Sequence, residues 1–590
     1  MINTEKIIEN VLKRKTQDFK ESSNTQITPG IIDLMIYSKA NEDYALKHLY
    51  SKKIVDHHKK GRIYIHTLHS AFKPYCNGID TRIFLIDGLR FPHCRSKPPK
   101  HFNSAVYQSM AFLFYSQLFF AGAQAMDYYN WFLAPYVYYD KLKYKNVKQI
   151  IQSFIFQLNQ ANRIGAQSAF TNIGLRIKCP TAIENEKIIF NGGFRNEKYE
   201  QFEKEARMIY KAFMEVLAEG DGNGAPFTFP IITTAITKKT DWNDELLKET
   251  LKTASLKGSP YFLNLTTDYL QEEFVQAMCC RLLVKHSGGV WMAGGFGTGS
   301  NKVVTINLPH LSLISKNENM FFEKLNEELI TAKKALLQSN EIIKKSLNLW
   351  KLLPLLKLKT LKKHEGSELK YYDFKTRKLT IGCIGLNECL LNLIGKNITS
   401  NEGKKLGFKI IKTMRNACEK FSKETGIQFT LEQTPAESSS HKLATKDKKK
   451  YKKAHVQGTK NHYYYTNSTH IPYNKNIDLF EKIKIESKYH PLFNGGTIFH
   501  LWMGESKPGI KSMKNLVKKL VKTQLAYFTF SPDFSICPNN HVSRGKLERC
   551  PVCGMKIKDY MNRVVGFFTK TSGWNPGKSR EYKERHRYKI

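Results

Sequence analysis

The chain shows little sign of a secretory leader, and none is expected: Met1 to Lys20 is polar and charged, with no apolar core of the kind such a segment needs. It also lacks a second candidate for a membrane span. The longest stretch without Lys, Arg, Asp or Glu runs from His101 to Met126 and contains FLFYSQLFFAGAQAM. Gln108, Gln117 and Gln124 recur within it, so a buried, aromatic-rich helix is expected there, with no membrane partner. A cytoplasmic location is the expectation that follows. A disulfide framework is excluded on the same ground, although the chain holds 11 cysteines. Cys94, Cys179, Cys383, Cys389 and Cys418 show no ligand spacing and read as small core hydrophobes. Acidic residues are scarce, 52 against 93 Lys and Arg, which leaves a formal charge of +41. Such a field attracts polyanions such as nucleic acid, anionic membrane or nucleoside phosphates; a solvated Lys-rich surface accounts for it equally well. No tandem repeat and no low-complexity linker is found.

What is present is enough apolar material for a large core. The 590 residues are 41% hydrophobic and 12% aromatic, sufficient for one very large α/β domain or two to four ordinary ones. Thr28-Pro29-Gly30 marks a turn before a helix. From there to about residue 315, helical patterns alternate with strand-like runs such as GRIYIHTL and KVVTINL, which indicates mixed α/β architecture. From Asn317 to about Lys363 the pattern is helical, with apolar Phe322, Leu325, Leu329 and Ala332, until Pro354 breaks it. A second α/β stretch with IGCIGLNECLLNLIG follows. The densest basic run, KLATKDKKKYKKAHVQGTK, reads as a solvated loop or helix face before it reads as a nucleic-acid patch.

The strongest local signal is SICPNNHVSRGKLERCPVCG. It gives Cys537-x3-His541, a short spacer, then Cys550-x2-Cys553. Two close ligand pairs on opposed turns can complete a tetrahedral zinc site with thiolate and imidazole donors. Pro551 and Gly554 suit the tight knuckle that turns a Cys-x2-Cys back on itself. No open position is implied, so the zinc is expected to be structural. His541 is the ligand the pattern specifies least. Such a ribbon also suits a nucleic-acid-binding protein.

A few residues later comes Arg563-Val564-Val565-Gly566-Phe567-Phe568, then TSGWNPGKSREYKERHRYKI. This zinc knot, R-V-x-G-aromatic segment and W-N-x-G-K resemble the glycyl-radical loop of anaerobic (class III) ribonucleotide reductases. Further segments fit in family order. PYCNGID at Pro74 to Asp80 resembles the family's cysteine-bearing strand, and AGAQAMDYYNWFLAPYV at Ala121 to Val137 a family helix and turn. MCCRLL at Met278 to Leu283, followed by GTGSNKVVTINLPHL, resembles the finger loop (about 278–311) that carries the catalytic thiol. TPAESSSHKLATKD, YYTNSTHIP and NGGTIFHLWMGE complete the set. Two departures stand out. The usual IHDLD reads Ile65-His66-Thr67-Leu68-His69, and His310 replaces the arginine after TINLP.

The resemblance implies a fold and a division of roles. The fold would be a ten-stranded α/β barrel of the glycyl radical enzyme type over residues 1–529. A C-terminal zinc knot at 530–556 and the glycyl radical loop with its basic tail at 557–590 would follow, with no ATP cone. Gly566 would store the radical, which a separate radical S-adenosylmethionine activating enzyme bearing a [4Fe-4S] cluster would create. Cys280, with Cys279 as the alternative bearer, would relay it as a thiyl that takes the ribose 3′ hydrogen. Cys76 would face it and help expel the 2′ hydroxyl as water, and Glu437 would handle the 3′ hydroxyl proton. Thr466, Asn467, Ser468 and Thr469, with Gly496 and Thr497, offer N–H and hydroxyl groups for substrate phosphate. The segment GGFGTGS resembles a phosphate loop but lacks the Lys-Ser/Thr ending, and the family places it beside the thiyl cysteine. Nucleoside triphosphate substrates, dNTP effectors, a homodimer, and formate or a redoxin as reductant are the partners implied. Two rivals remain at this point: a pyruvate formate-lyase-like acyltransferase, which the Cys279-Cys280 pair would suit, and a basic zinc-ribbon nucleic-acid binder.

Overall fold

A computed structural model describes residues 4–13, 29–91, 94–163, 167–270, 275–278, 281, 283–285, 290–350, 372, 374, 376–459 and 461–590. Ten strands form its centre. Five come from the first half of the chain: β1 (Cys76–Gly78), β2 (Gln124–Met126), β3 (Thr171–Leu175), β4 (Ile231–Ile236) and β5 (Tyr261–Asn264). These pair in parallel, in that order. The second half supplies β6 (Gly299–Asn307), β7 (Lys378–Ile384), β8 (Phe429–Glu432), β9 (Phe499–Gly504) and β10 (Tyr527–Pro532). Here β6, β7 and β8 pair in parallel, as do β9 and β10.

The two halves join antiparallel at β1–β6 and β5–β10. One gap remains, between β8 and β9, and a parallel bridge from Glu432 to Gly496 spans it. Gly495 donates to the Leu431 carbonyl at 2.8 Å and Gln433 to the Gly496 carbonyl at 3.0 Å. The sheet is thereby closed into a ten-stranded barrel with no free edge of its own. The short strand Ile63–Ile65 pairs with β6 outside this ring.

Side-chain alternation along the strands sorts the residues into two cores. On β5, Phe262 faces outward with Leu247, Leu251 and Leu520, while Tyr261 and Leu263 join an inner cluster. On β9, Phe499, Leu501 and Met503 face the helices, which leaves His500 and Trp502 on the other face. The outer faces are covered by helices placed by the same periodic logic. In the helix Glu318–Trp350 the buried stripe runs through Phe321, Leu325, Leu329, Ala332 and Leu336. The sequence pattern had put Phe322 in that stripe; it is only half-buried. The Pro354 break lies outside the described residues. Capping helps set helix starts: Asp244 accepts from Leu246 N at 2.8 Å and Ser400 from Gly403 N at 3.0 Å.

The apolar stretch from His101 to Met126 departs from the single helix expected. The helix Phe102–Ser116 ends early, and Gln124–Met126 is barrel strand β2. Gln124 is fully buried there, with its Nε2 donating to the Gly122 carbonyl at 3.4 Å. Among the described residues no helix is long and apolar enough to cross a membrane.

Past β10 the chain forms a small sheet from β11 (Phe534–Ile536), β12 (Val542–Arg544), β13 (Asp559–Arg563) and β14 (Phe568–Lys570), in the order β12-β11-β13-β14. The boundary read at 529/530 falls inside β10, and this one sheet carries both the cysteine cluster and the glycine hairpin.

Candidate active site and metal centre

The hairpin between β13 and β14 is Val564-Val565-Gly566-Phe567, and all four residues are buried. Val564, Val565 and Phe567 lie in one apolar cluster with Tyr261 and Leu263 of β5, Tyr527 of β10, and Val275, Ala277 and Leu283. The last three belong to the segment between β5 and β6, where Val275–Ala277 pairs antiparallel with Leu283–Lys285. Two loops distant in sequence therefore meet inside the barrel. Cys279 and Cys280 lie outside the described residues. Their neighbours do not. Met278 packs with Cys76, Ala123 and Ala125. Arg281 is fully buried and donates to the carbonyls of Gln433 and Thr434, each at 3.3 Å. Leu283 N donates to Gly495 O at 3.1 Å. Gly496 must be glycine here: its φ is +125°, and a Cβ would sit 2.0 Å from the Arg281 carbonyl.

Cys76 lies on β1, 1% exposed. Its carbonyl accepts from Arg377 Nη2 at 2.5 Å, and Arg377 also reaches Asn77 Oδ1 at 3.1 Å and Thr298 O at 3.0 Å. Gly299 opens β6 beside it at φ +147°, where a Cβ would come within 2.4 Å of the Cys76 carbonyl. Gly299 of GGFGTGS thus serves close strand packing next to Cys76. Phe170 packs against both the Cys76 cluster and the Gly566 loop cluster, with its ring 5.2 Å from that of Phe567. Sequence reasoning did not single out Arg377 or Phe170; neither sits in a motif, and only folding brings them to the cysteine strand.

Of the remaining sequence-selected residues, Glu437 and Asn467 meet the chain's end. Glu437 is half-buried on the turn after β8, and its carbonyl accepts from Asn575 Nδ2 at 3.0 Å. Asn467 donates to Pro435 O at 2.9 Å and accepts from Lys578 Nζ at 3.3 Å. Thr466 binds Glu388 through its N–H at 3.1 Å and its hydroxyl at 2.8 Å. Ser468 donates to Cys383 O at 2.7 Å, and Thr469 accepts from Gln433 Nε2 at 2.7 Å. The Thr497 hydroxyl is buried with no protein partner. The two departures also find places. His310 Nδ1 lies 2.6 Å from Asp447 Oδ1, and the Thr67 carbonyl accepts from buried Lys302 at 3.2 Å. Burial without a counter-charge brings the Lys302 pKa down to about 7.

A buried charge network supports the glycine hairpin. Arg585 donates to the Arg563 carbonyl at 2.9 Å, the Val564 carbonyl at 3.2 Å and Glu581 at 2.8 Å, and its guanidinium lies 3.8 Å from the centre of the Trp502 ring. Glu581 also meets Lys578 at 2.5 Å. Burial opposes the charge on Glu581, but Lys578 and Arg585 hold its pKa below the usual carboxylate range. Burial, then the nearby cations Arg281, His470, Arg563 and Arg585, push His500 well below its ordinary value. Burial likewise opposes Glu486, yet Lys482 and His470 bring it down to about 2.

Arg585→Ala leaves Glu581 with Lys578 and takes the guanidinium away from the Arg563 and Val564 carbonyls. Breaking a buried pair in this way costs about 3–5 kcal/mol. The expected result is rapid proteolysis of the C-terminal segment at a protease dose that spares the wild type. The Glu581 contribution is complete above the ordinary glutamate value of 4.5 and is lost as pH falls through the depressed one.

The four metal-type side chains converge as their spacing requires. The β11–β12 hairpin carries Cys537 and His541, and the turn from Arg549 to Lys556 carries Cys550 and Cys553. All four ligand atoms lie within 4.8 Å of one another. Cys553 Sγ is 3.7 Å from Cys537 Sγ, and Cys550 Sγ is 3.7 Å from His541 Nδ1. Zinc–sulfur bonds of about 2.3 Å give tetrahedral edges of roughly 3.8 Å, so the cluster fits that ion. Val552 N points at Cys550 Sγ at 3.4 Å, and Gly554 turns the knuckle at φ +71°. Elemental analysis of the purified chain is expected to give about one zinc per chain. The double variant Cys550→Ser, Cys553→Ser is expected to lose it; full zinc retention would refute the site.

Solved structures share this barrel. The anaerobic ribonucleotide reductase from Thermotoga maritima in complex with dATP and CTP superposes with a TM-score of 0.76 at 22% identity, covering 98% of each chain. Hydroxyproline dehydratase from Clostridioides difficile gives 0.61 at 10% identity over 99% of this chain and 89% of its own. The barrel fold is thus shared with enzymes of these two names, and sequence narrows the comparison. A profile of the anaerobic ribonucleoside-triphosphate reductase family matches residues 21–588, and the chain belongs to that family. The enzyme of that name from Escherichia coli is 24% identical, over 96% of this chain and 82% of the relative. The enterobacteria phage T4 enzyme is 24% identical over 98% and 99%. The acyltransferase and nucleic-acid-binder readings give way to this membership.

Proposed function

We propose that this chain reduces ribonucleoside triphosphates to deoxyribonucleoside triphosphates, with Gly566 as radical store and Cys280 as relay. The observation that carries the reading is the burial of the Gly566 hairpin in the same apolar cluster as Val275, Ala277 and Leu283, which flank the Cys279-Cys280 pair on both sides. A carbon radical kept there is shielded from water and oxygen, and a thiol carried by the finger segment is a kind of group that can exchange a hydrogen atom with it. In that exchange the Cys280 S–H hydrogen passes to Gly566 Cα, leaving the unpaired electron on sulfur. The thiyl then takes the ribose 3′ hydrogen. Cys76, packed against Met278, gives a hydrogen toward loss of the 2′ hydroxyl as water, and Glu437 manages the 3′ hydroxyl proton. Residues Thr466, Asn467, Ser468 and Thr469 with Gly496 and Thr497 form the phosphate end.

Zinc on Cys537, His541, Cys550 and Cys553 would hold the sheet that presents the hairpin. A separate radical S-adenosylmethionine enzyme with its own [4Fe-4S] cluster would install the radical in a cytoplasmic homodimer that responds to dNTP effectors. Formate or a redoxin dithiol would supply the electrons. The knot at 530–556 and the loop at 557–590 would act as one unit on the barrel of 1–529. The test is anaerobic activation followed by a CTP reduction assay with each donor in turn. Deoxynucleotide formation with one donor supports the reading; none with either, in a chain that carries the radical, overturns it.

A further inference from the structure

Tyr261 opens β5 with its side chain on the inner face, buried at 1% exposure. Its hydroxyl donates to the carbonyl oxygen of Gly566. The Tyr261 hydroxyl oxygen in turn accepts the Arg563 Nε–H at 2.7 Å. Both groups are fixed in turn. The Tyr261 ring stacks on Tyr527 at 5.3 Å and 20°, and the Arg563 guanidinium lies over the Tyr261 ring at 4.6 Å. Arg563 also donates to Phe530 O at 2.6 Å and Ser531 Oγ at 3.2 Å, and the Tyr527 hydroxyl meets Thr233 Oγ1 at 2.7 Å. A chain of donors thus runs from Arg563 through Tyr261 to the one carbonyl conjugated with the Gly566 Cα. None of the roles assigned above uses it.

We propose that Tyr261, oriented by Arg563, is a positioning residue that holds and tunes the radical on Gly566. The inference rests on the reading of Gly566 as the radical store. A radical at a glycine Cα is planar and shares its spin with its own carbonyl. Donation to that oxygen stabilises the delocalised form and locks the peptide plane. In a dry, low-dielectric interior such a bond is stronger than in water, and the Arg563 N–H on the Tyr261 oxygen makes the phenol a better donor. The consequence is a radical that rests on glycine between turnovers and passes to sulfur only when substrate occupies the barrel.

The experiment uses the full chain, activated anaerobically, with glycine labelled by carbon-13 at the carbonyl. Tyr261→Phe keeps the ring stacked on Tyr527 and beneath the guanidinium while removing the donor. It is expected to form the glycine doublet, with a changed carbon-13 carbonyl coupling and a radical half-life under argon shortened by about tenfold, the worth of one buried hydrogen bond. A ring-fluorinated tyrosine at 261, a stronger donor, is expected to restore the half-life. Packing alone would not move the carbonyl coupling. Wild-type coupling and half-life in Tyr261→Phe would overturn the proposal. Should Tyr261→Phe not fold, a series of fluorotyrosines of increasing acidity replaces it, and a coupling that ignores acidity overturns the proposal equally. A doublet that survives in Gly566→Ala would be a different failure, that of the radical assignment itself.

Discussion

Anaerobic activation of the wild-type chain is expected to give a doublet in electron paramagnetic resonance, and Gly566→Ala is expected to give none. The effect should be all or nothing. A Cα radical at glycine is flat and conjugated with two amides, whereas an alanine methyl must twist against the buried walls made by Val564, Val565 and Phe567. Exposure of the activated wild type to air is expected to cleave the chain at this hairpin, and the variant should stay intact on a denaturing gel. The hairpin tip is inserted among the walls of β5 and β10, and Arg585 clamps the carbonyls on its approach. A doublet of wild-type strength in Gly566→Ala would move the radical elsewhere.

The second large effect separates two cysteines by time. Cys280→Ser is expected to abolish all substrate chemistry while the Gly566 radical still forms, because a serine O–H bond is too strong for a glycyl radical to break. Cys76→Ser is expected to permit hydrogen abstraction and to stall before product. Activated enzyme incubated with 3′-deuterated nucleotide distinguishes them through the glycine signal and the fate of the label. Label loss in Cys280→Ser at the wild-type rate would pass the relay to Cys279. Normal product from Cys76→Ser would leave Cys76 as a packed strand residue, a role that its neighbours Ala123, Ala125 and Met278 could sustain.

Much of this site was legible along the chain. The spacing of Cys537, His541, Cys550 and Cys553 announced a tetrahedral cluster because a four-ligand knot is local: each pair sits on its own turn, and turns are written in nearby residues. The glycine hairpin was legible through its ordered neighbours, Arg563 before it and Trp574 to Lys578 after it. Those residues prove to be bound to the loop and to the turns at Asn467 and Glu437. The α/β alternation was legible as well, since strand and helix periods differ.

Other features could not be read. The helix expected over the apolar stretch from His101 ended at Ser116, because an uncharged run looks the same whether it fills a helix or a barrel strand. Arg377, Phe170, Arg585 and Tyr261 carried no local signal. The sequence by itself determined which side chains can hold a metal and that strands and helices alternate, whereas Gly566 was singled out by resemblance to a family. The first two depend on residue type and short spacing. Only the tertiary structure decided what surrounds that glycine. Barrel closure through Glu432 and Gly496 brings β5, β10 and the finger segment around one hairpin, and so sets a tyrosine hydroxyl some 300 positions away against its carbonyl. Contacts of that kind arise from the packing of whole strands against one another, and no window of sequence contains them.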